Sequence, residues 1–303
     1  MLVIGGTIPK QGMPLIAGYV RREGDMLVAD SQPFSRIQGT GAMISAALTA
    51  TEYMGIEPPY VVVAGDIGKG DGTRLMYRYL IENISALKPA FVTLHYCQPF
   101  MNLLTQFVKE VEKMAKPPFL IADAGAMYAA KAAGQAEKFG IFTPDPSEIA
   151  FLADPNATHP AYIANHLFDS EIEDVPQLIK AAYSHKSAAR VMVVKGARDY
   201  IAKNGEILAT IEDPNVPVLE AIGGTGDTIT GLVSAFTYAG VEPVEAGILA
   251  AKCNRMGGKM ANPTPATKVS QIIDTFPLVF KQYLCEWSGT CVTSQGNDKR
   301  GNF

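Results

Sequence analysis

Gly223-Gly224-Thr225-Gly226-Asp227-Thr228-Ile229-Thr230-Gly231, continued by the apolar run Leu232-Val233-Ser234-Ala235-Phe236, is a glycine turn that runs straight into a helix with a carboxylate at the junction. Glycines let backbone N–H groups converge, and a helix N-terminus adds partial positive charge, so the stretch reads as an anion cradle. Asp227 beside that cradle is placed to take a proton from a hydroxyl during phosphoryl transfer. Gly224, Thr225 and Gly226 then supply amides to the phosphoryl oxygens. The same aspartate suits a helix N-cap, a role compatible with the first because capping fixes its backbone.

Outward from that junction, short apolar runs alternate with helical stretches. Strands are expected at Tyr60–Ala64, Phe91–Leu94, Phe119–Ala122, Gly140–Thr143 and Val191–Lys195, in the apolar composition of buried strands. Helices are expected at Ala42–Tyr53, Thr73–Glu82 (capped by Asp71 or Thr73), Phe100–Met114, Ala124–Ala133, Ser147–Leu152 and Val175–Ser184. Further helices are expected at Thr228–Tyr238, Val244–Met260 and, last, Val269–Tyr283. Leu15–Arg21 and Met26–Asp30, joined by Glu23-Gly24-Asp25, read as a hairpin within residues 15–30 that forms an edge or lid. Tyr200–Lys203 and Glu206–Ile211 flank Asn204-Gly205 as a second hairpin. Met1-Leu2-Val3-Ile4-Gly5-Gly6 reads as a short strand entering a glycine turn. Repeated strand–helix units predict an α/β fold, a doubly wound and mostly parallel sheet with helices on both faces. A single domain over residues 1–287 and a disordered polar tail at 288–303 are expected.

Four further segments carry candidate chemistry. Val193-Val194-Lys195-Gly196-Ala197-Arg198-Asp199 delivers a lysine and a glycine at a strand's C-terminal end, where open α/β sheets hold ligands; the alternative is a solvated lysine. Thr143-Pro144-Asp145-Pro146-Ser147-Glu148 is a rigid turn into a helix. There Asp145 faces a cleft or Glu148 simply complements the helix dipole. Gly65-Asp66-Ile67-Gly68-Lys69-Gly70-Asp71-Gly72-Thr73 is not a Walker P-loop, but its glycines make a candidate wall for a phosphate-bearing substrate; the alternative is a flexible loop. Asp123 is either an N-cap or a cleft acid. His95, beside Tyr96 and Cys97, reads as structural.

The totals exclude several classes. The chain has 303 residues, 48% hydrophobic and 18% charged, enough for a full core. A net charge of −4 without a basic run argues against nucleic acid or an anionic membrane as partner. No apolar stretch approaches the roughly 18 residues of a membrane span. The first residues lack a signal-peptide pattern, so a cytoplasmic location is expected. Cys97, Cys253, Cys285 and Cys291 form no CxxC pair, and the histidines show no zinc spacing relative to them. A reducing compartment disfavours a Cys285–Cys291 disulfide. No interface is readable, so assembly into a homo-oligomer stays open.

The order of these motifs resembles the ribokinase-like superfamily and, within it, the ADP/ATP-dependent NAD(P)H-hydrate dehydratase family related to carbohydrate kinases. The resemblance runs over residues 60–262. It rests on Gly65–Gly72, Asp123-Ala124, Thr143–Glu148, Lys195-Gly196 and Gly223–Asp227, all in family order. It implies a three-layer ribokinase-like fold. It also implies ATP or ADP as nucleotide, with magnesium carried by the nucleotide and no metal ligands from the protein. Nucleotide would lie around Lys195, Gly196, Ala197, Arg198, Asp199 and Gly226. The hydrated nicotinamide substrate would lie near Gly68 or Gly70, Asp123, Asp145 and Asp227. The implied reaction couples nucleotide hydrolysis to removal of water from damaged NADH or NADPH. The chain departs from the family at Asp145, where His is usual, at Ser147, where Gly is usual, and at Gly125, where an acid or amide is usual. Its Phe91–Met114 unit reads as an insertion. A small-molecule kinase acting on a sugar or vitamin-precursor alcohol is the alternative activity, and an inactive nucleotide-binding protein the alternative class.

Overall fold

The computed structural model describes residues 1–157 and 174–289; Cys291 and nearly all of the expected disordered tail lie outside the described residues. The strands, in chain order, are β1 (Leu2–Ile8), β2 (Ile16–Tyr19), β3 (Arg21–Glu23), β4 (Met26–Ala29), β5 (Gln32–Ser35), β6 (Tyr60–Gly65), β7 (Phe91–His95), β8 (Phe119–Ala122), β9 (Ile141–Phe142), β10 (Val191–Val194), β11 (Asp199–Lys203) and β12 (Glu206–Ile211). The principal helices are α1 (Gly39–Met54), α2 (Asp71–Leu87), α3 (Met101–Glu112), α4 (Gly125–Ala132), α5 (Pro146–Ala153), α6 (Val175–Ser184), α7 (Thr225–Tyr238), α8 (Pro243–Ala261) and α9 (Val269–Ile273).

Nine strands form one sheet in the order β12-β11-β10-β9-β8-β7-β1-β6-β2. The six from β10 to β6 are parallel, and the flanking strands β11, β12 and β2 are antiparallel. Alternate residues of each central strand enter two separate cores. Leu2, Ile4, Val61, Val63, Val191 and Val193 pack under α1, α7 and α8. Val3, Val62, Met192 and Val194 pack under α2 to α6. This period of two, apolar on both faces, places helices on both sides of the sheet, as expected.

Several expectations change. Residues Met1–Gly6 do not end in a turn: β1 continues through Gly5 and Gly6 to Ile8 at the middle of the sheet. A Cβ on Gly6 would lie 2.5 Å from the His95 carbonyl, so close strand packing explains that glycine. The hairpin around Glu23-Gly24-Asp25 pairs β3 with β4 in a small three-stranded sheet, while β2 joins the edge of the main sheet. β7 lies between β1 and β8, so the Phe91–Met114 unit is central in the sheet. The last expected helix breaks after Ile273, and the next begins at Phe276 with Pro277 in its first turn. Among the described residues no helix is long and apolar enough to cross a membrane.

Candidate active site

Parallel strands deliver their C-terminal ends to one edge of the sheet. Asp66 follows β6, His95 ends β7, Asp123 follows β8, Thr143 follows β9 and Lys195 follows β10. This edge is where open α/β sheets bind ligands. The N-terminus of α7 meets the same edge through its polar face. Thr230 donates to Asp123 and lies 2.9 Å from the Thr143 hydroxyl, and Ser234 lies 2.8 Å from Thr93.

Gly224 is the N-cap of α7, in the left-handed region at φ 101°, and no side chain caps the helix. First-turn N–H groups have no intrahelical acceptor, so those of Thr225, Gly226 and Asp227 are offered outward. Gly223 is exposed, and a Cβ added there would meet nothing within 4 Å. Thr225 anchors the turn by donating to the carbonyls of Leu219 and Ile222. The Asp227 side chain is 12% exposed and one of its oxygens, Oδ1, lies 3.0 Å from His95 Nε2. Among the described residues its other oxygen accepts no hydrogen bond.

His95 is fully buried. Its Nδ1 lies 2.9 Å from Thr40 Oγ1, and its Nε2 also lies 3.5 Å from Asp123. Burial opposes the imidazolium, but the hydrogen bonds to Asp123 and Asp227 prevail and raise its pKa to about 9. Asp123 is buried and receives the Lys195 ammonium at 2.7 and 2.9 Å. Burial pushes the Asp123 carboxyl upward, yet the charges of Lys195 and His95 hold it far below the usual carboxylate range. Asp123 is thus a buried partner of Lys195, His95 and Thr230, and the N-cap of α4 is Ala124.

Other expected site residues divide. Lys195 is no solvated strand-end lysine: it is buried on Asp123, and its methylenes lie 3.7 Å from where a Cβ on Gly226 would stand. Gly196, Ala197 and Arg198 are exposed at the end of β10, with Arg198 paired to Glu212. Asp199 is turned inward: it accepts the Gly196 N–H at 2.9 Å and the Arg255 Nε at 2.7 Å. Arg255 also donates to the carbonyls of Gly196, Ala197 and Glu212, bracing this loop from below. Asp145 caps α5: its carboxylate accepts the Glu148 N–H and the Ser147 hydroxyl, while Glu148 returns to the Asp145 N–H. The amides of Gly68 and Gly70 are occupied as well. Asp66 accepts both, at 3.0 and 2.9 Å, together with the N–H and hydroxyl of Thr73. The cap expected of Asp71 or Thr73 falls to Gly70, and the chain's own carboxylate takes three amides of the expected phosphate wall.

The reading of His95 as structural did not include its hydrogen bond to Asp227, and sequence reasoning gave no role to Asp66 or Arg255. A signal existed for His95, the last residue of an apolar strand at the ligand-binding edge. Arg255 is a basic residue within the small, apolar surroundings of α8, a weaker sign of a buried brace.

The profile of the carbohydrate-kinase family described as NAD(P)H-hydrate dehydratase matches residues 100–277, more than half of the chain. An uncharacterized protein of Methanocaldococcus jannaschii is 38% identical over 242 residues, 80% of this chain and 100% of its own. The bifunctional NAD(P)H-hydrate repair enzyme Nnr of Helicobacter pylori is 27% identical over 196 residues, covering 62% of this chain and 40% of that enzyme. Among solved structures, a ribokinase-like superfamily protein of Enterococcus faecalis superposes with a TM-score of 0.55 at 16% identity, covering 93% and 87% of the two chains. A phosphofructokinase-2 mutant of Escherichia coli superposes with a TM-score of 0.53 at 14% identity, covering 93% and 99%. With its motifs in family order along one sheet edge, on a ribokinase-like fold, the chain belongs to the NAD(P)H-hydrate dehydratase family.

Proposed function

We propose that the protein is an enzyme that uses ATP or ADP to remove water from hydrated NADH or NADPH. The observation that carries this reading is the junction at Gly224–Asp227: first-turn amides without a capping side chain, beside a carboxylate with one open oxygen. Asp227 takes the proton of the ring hydroxyl as the hydroxyl oxygen attacks the terminal phosphorus, the bridging P–O bond breaks, and the nucleotide leaves one phosphate shorter. The amides of Thr225 and Gly226 stabilise charge on the transferring oxygens. The ring C–O bond then breaks, phosphate leaves, and a proton lost from the adjacent ring carbon closes the double bond. The exposed strand-end residues Gly196, Ala197 and Arg198 flank the nucleotide. Lys195 neutralises Asp123, while Asp199 and Arg255 support the loop from below.

Magnesium neutralises phosphate charge when bound with the nucleotide. His95, Asp123 and Asp227 place ligand atoms within 4.8 Å of one another. They do not suit a dedicated cage, because Lys195 occupies Asp123 and both imidazole nitrogens already meet partners, Thr40 and Asp227.

Purified protein with ATP or ADP, magnesium and hydrated NADH is expected to release phosphate and restore the absorbance of the reduced cofactor. A stable phosphorylated alcohol from a panel of acceptors would assign a kinase instead. Nucleotide binding with no phosphate release on any acceptor would assign an inactive binding protein.

A further inference from the structure

We propose that His95 is the positioning residue of this site, fixing the Asp227 carboxylate so that one oxygen faces the cleft. The inference rests on the reading of Asp227 as the base, and it adds a residue that the sequence assigned to structure. An aspartate in the first turn of a helix has free rotation about two bonds, and a base must hold its oxygen within hydrogen-bond reach of the proton it takes. His95 removes that freedom. Its Nε2–H donates to Asp227 Oδ1 at 3.0 Å, leaving the other oxygen as acceptor.

The imidazole is itself held from three sides. Thr40, in the first turn of α1, meets Nδ1 at 2.9 Å. Asp123 lies 3.5 Å from Nε2 on the opposite side from Thr40 along the ring's polar edge. The Tyr96 ring stands edge-on to the imidazole with centroids 4.4 Å apart. Tyr96 is half exposed with φ 44°, an uncommon backbone for an aromatic residue, and Thr7 donates to its carbonyl. The end of β7 is therefore built to place one ring between α1 and α7. Lys195 and His95 both meet Asp123, and the same imidazole nitrogen lies closer to Asp227.

Two substitutions separate positioning from packing. His95→Gln keeps a nitrogen where Nε2 stands and can still donate to Asp227, whereas His95→Asn reaches only toward Thr40. His95→Asn is expected to lower kcat about 100-fold with the nucleotide KM unchanged, the scale of a misplaced catalytic group. His95→Gln is expected to recover kcat to within about tenfold of wild type, that fraction of the loss being what a restored donor returns. Equal kcat losses in the two variants, or wild-type kcat in His95→Asn, would overturn the proposal.

A second measurement does not depend on turnover. In nitrogen-15 spectra of the histidine rings, the signal absent from His95→Gln identifies His95. It is expected to show a protonated Nε2 whose resonance moves in Asp227→Asn. An unprotonated Nε2, or one indifferent to that substitution, overturns the positioning role. A wild-type protein inactive on hydrated NADH but with the expected ring signal sinks only the dehydratase reading.

Discussion

Two glycine turns lead into helices, and only one of them has a carboxylate of the chain closed over its amides. In Gly65–Thr73 the acid that folds over the turn, Asp66, comes before Gly68, Gly70 and Gly72. Asp66 curls back into its own turn and takes the N–H groups of Gly68, Gly70 and Thr73. In Gly223–Asp227 the acid comes after the glycines, inside the helix. Asp227 is directed across the sheet edge to His95, and the first-turn amides keep no capping side chain. The same residue types thus make a self-filled nest in one place and leave the first helical turn uncapped in the other. The turn at Thr143–Glu148 sides with the first: Asp145 and Glu148 close on each other as a capping box. Where the carboxylate stands relative to the glycines decides whether the chain caps the amides of the turn itself.

The sharpest way to break this comparison is to remove each acid. Asp227→Asn keeps the size and the hydrogen bond to His95 but cannot take a proton. Its turnover in the phosphate-release assay is expected to fall by about 10²–10⁴, the usual worth of a general base. Its unfolding free energy is expected to stay within about 1 kcal/mol of wild type. Asp66→Ala should do the reverse. Three amides and a hydroxyl lose a charged acceptor, so denaturant melts are expected to show a loss of about 2–3 kcal/mol. Activity per folded molecule should remain near wild type. Burial pushes the Asp66 carboxyl up, but its hydrogen bonds prevail and leave it below the ordinary value. A depressed carboxylate contributes stability above its unfolded pKa and loses it as pH falls through the folded one. The wild-type margin over Asp66→Ala should therefore shrink below about pH 4. Melts of equal stability, or lost turnover in Asp66→Ala, would place the working anion site at the wrong turn.

Glu148 gives a smaller effect at the third turn. Burial first, and then the nearby Asp123 charge, raise its carboxyl to about 8. The native protein holds that proton to about pH 8, whereas the unfolded chain releases it near about 4.3, so stability falls as pH rises between those values. Glu148→Gln retains an oxygen for the Asp145 N–H and removes the titration. Its melting temperature is expected to depend less on pH between about 5 and 8 than that of wild type. An unchanged slope would mean that the buried carboxyl is already ionised at neutral pH.

Much of the fold was legible because its signals are local. The apolar runs at Phe119–Ala122 and Val175–Ser184 became a strand and a helix with the expected bounds, and Asn204-Gly205 turned the expected hairpin. The first strand was cut short because Gly5 and Gly6 look like a turn. Only the approach of neighbouring strands shows why glycine is required there. In the site, Asp123, Lys195, Gly226 and Asp227 do converge. Asp199, Gly68 and Gly70 turn polar groups to partners within the chain, and Asp145 commits one carboxylate oxygen to its helix cap; proximity in sequence only partly predicts those partners. Asp199 answers Arg255, which follows 56 positions later. His95 lies 132 positions from Asp227. Pairings of that separation follow from topology, and a single sequence does not carry them.

The gentlest test compares two methyl groups. Gly226 lies in the first turn of α7 without positive φ, and a Cβ there would make ordinary contact with Lys195 at 3.7 Å. Gly226→Ala should therefore fold normally and gain up to about 1 kcal/mol from helix propensity. If phosphate approaches that backbone, the methyl intrudes on it and the nucleotide KM should rise roughly tenfold, about 1.4 kcal/mol of binding. Gly68 has open space around its Cβ position but φ +94°. Gly68→Ala is expected to cost about 1 kcal/mol of stability through backbone strain while the nucleotide KM stays unchanged. A methyl harmless to KM at Gly226 and harmful at Gly68 would exchange the roles of the two turns. The first outcome would confine nucleotide to the turn whose amides no carboxylate of the chain has taken.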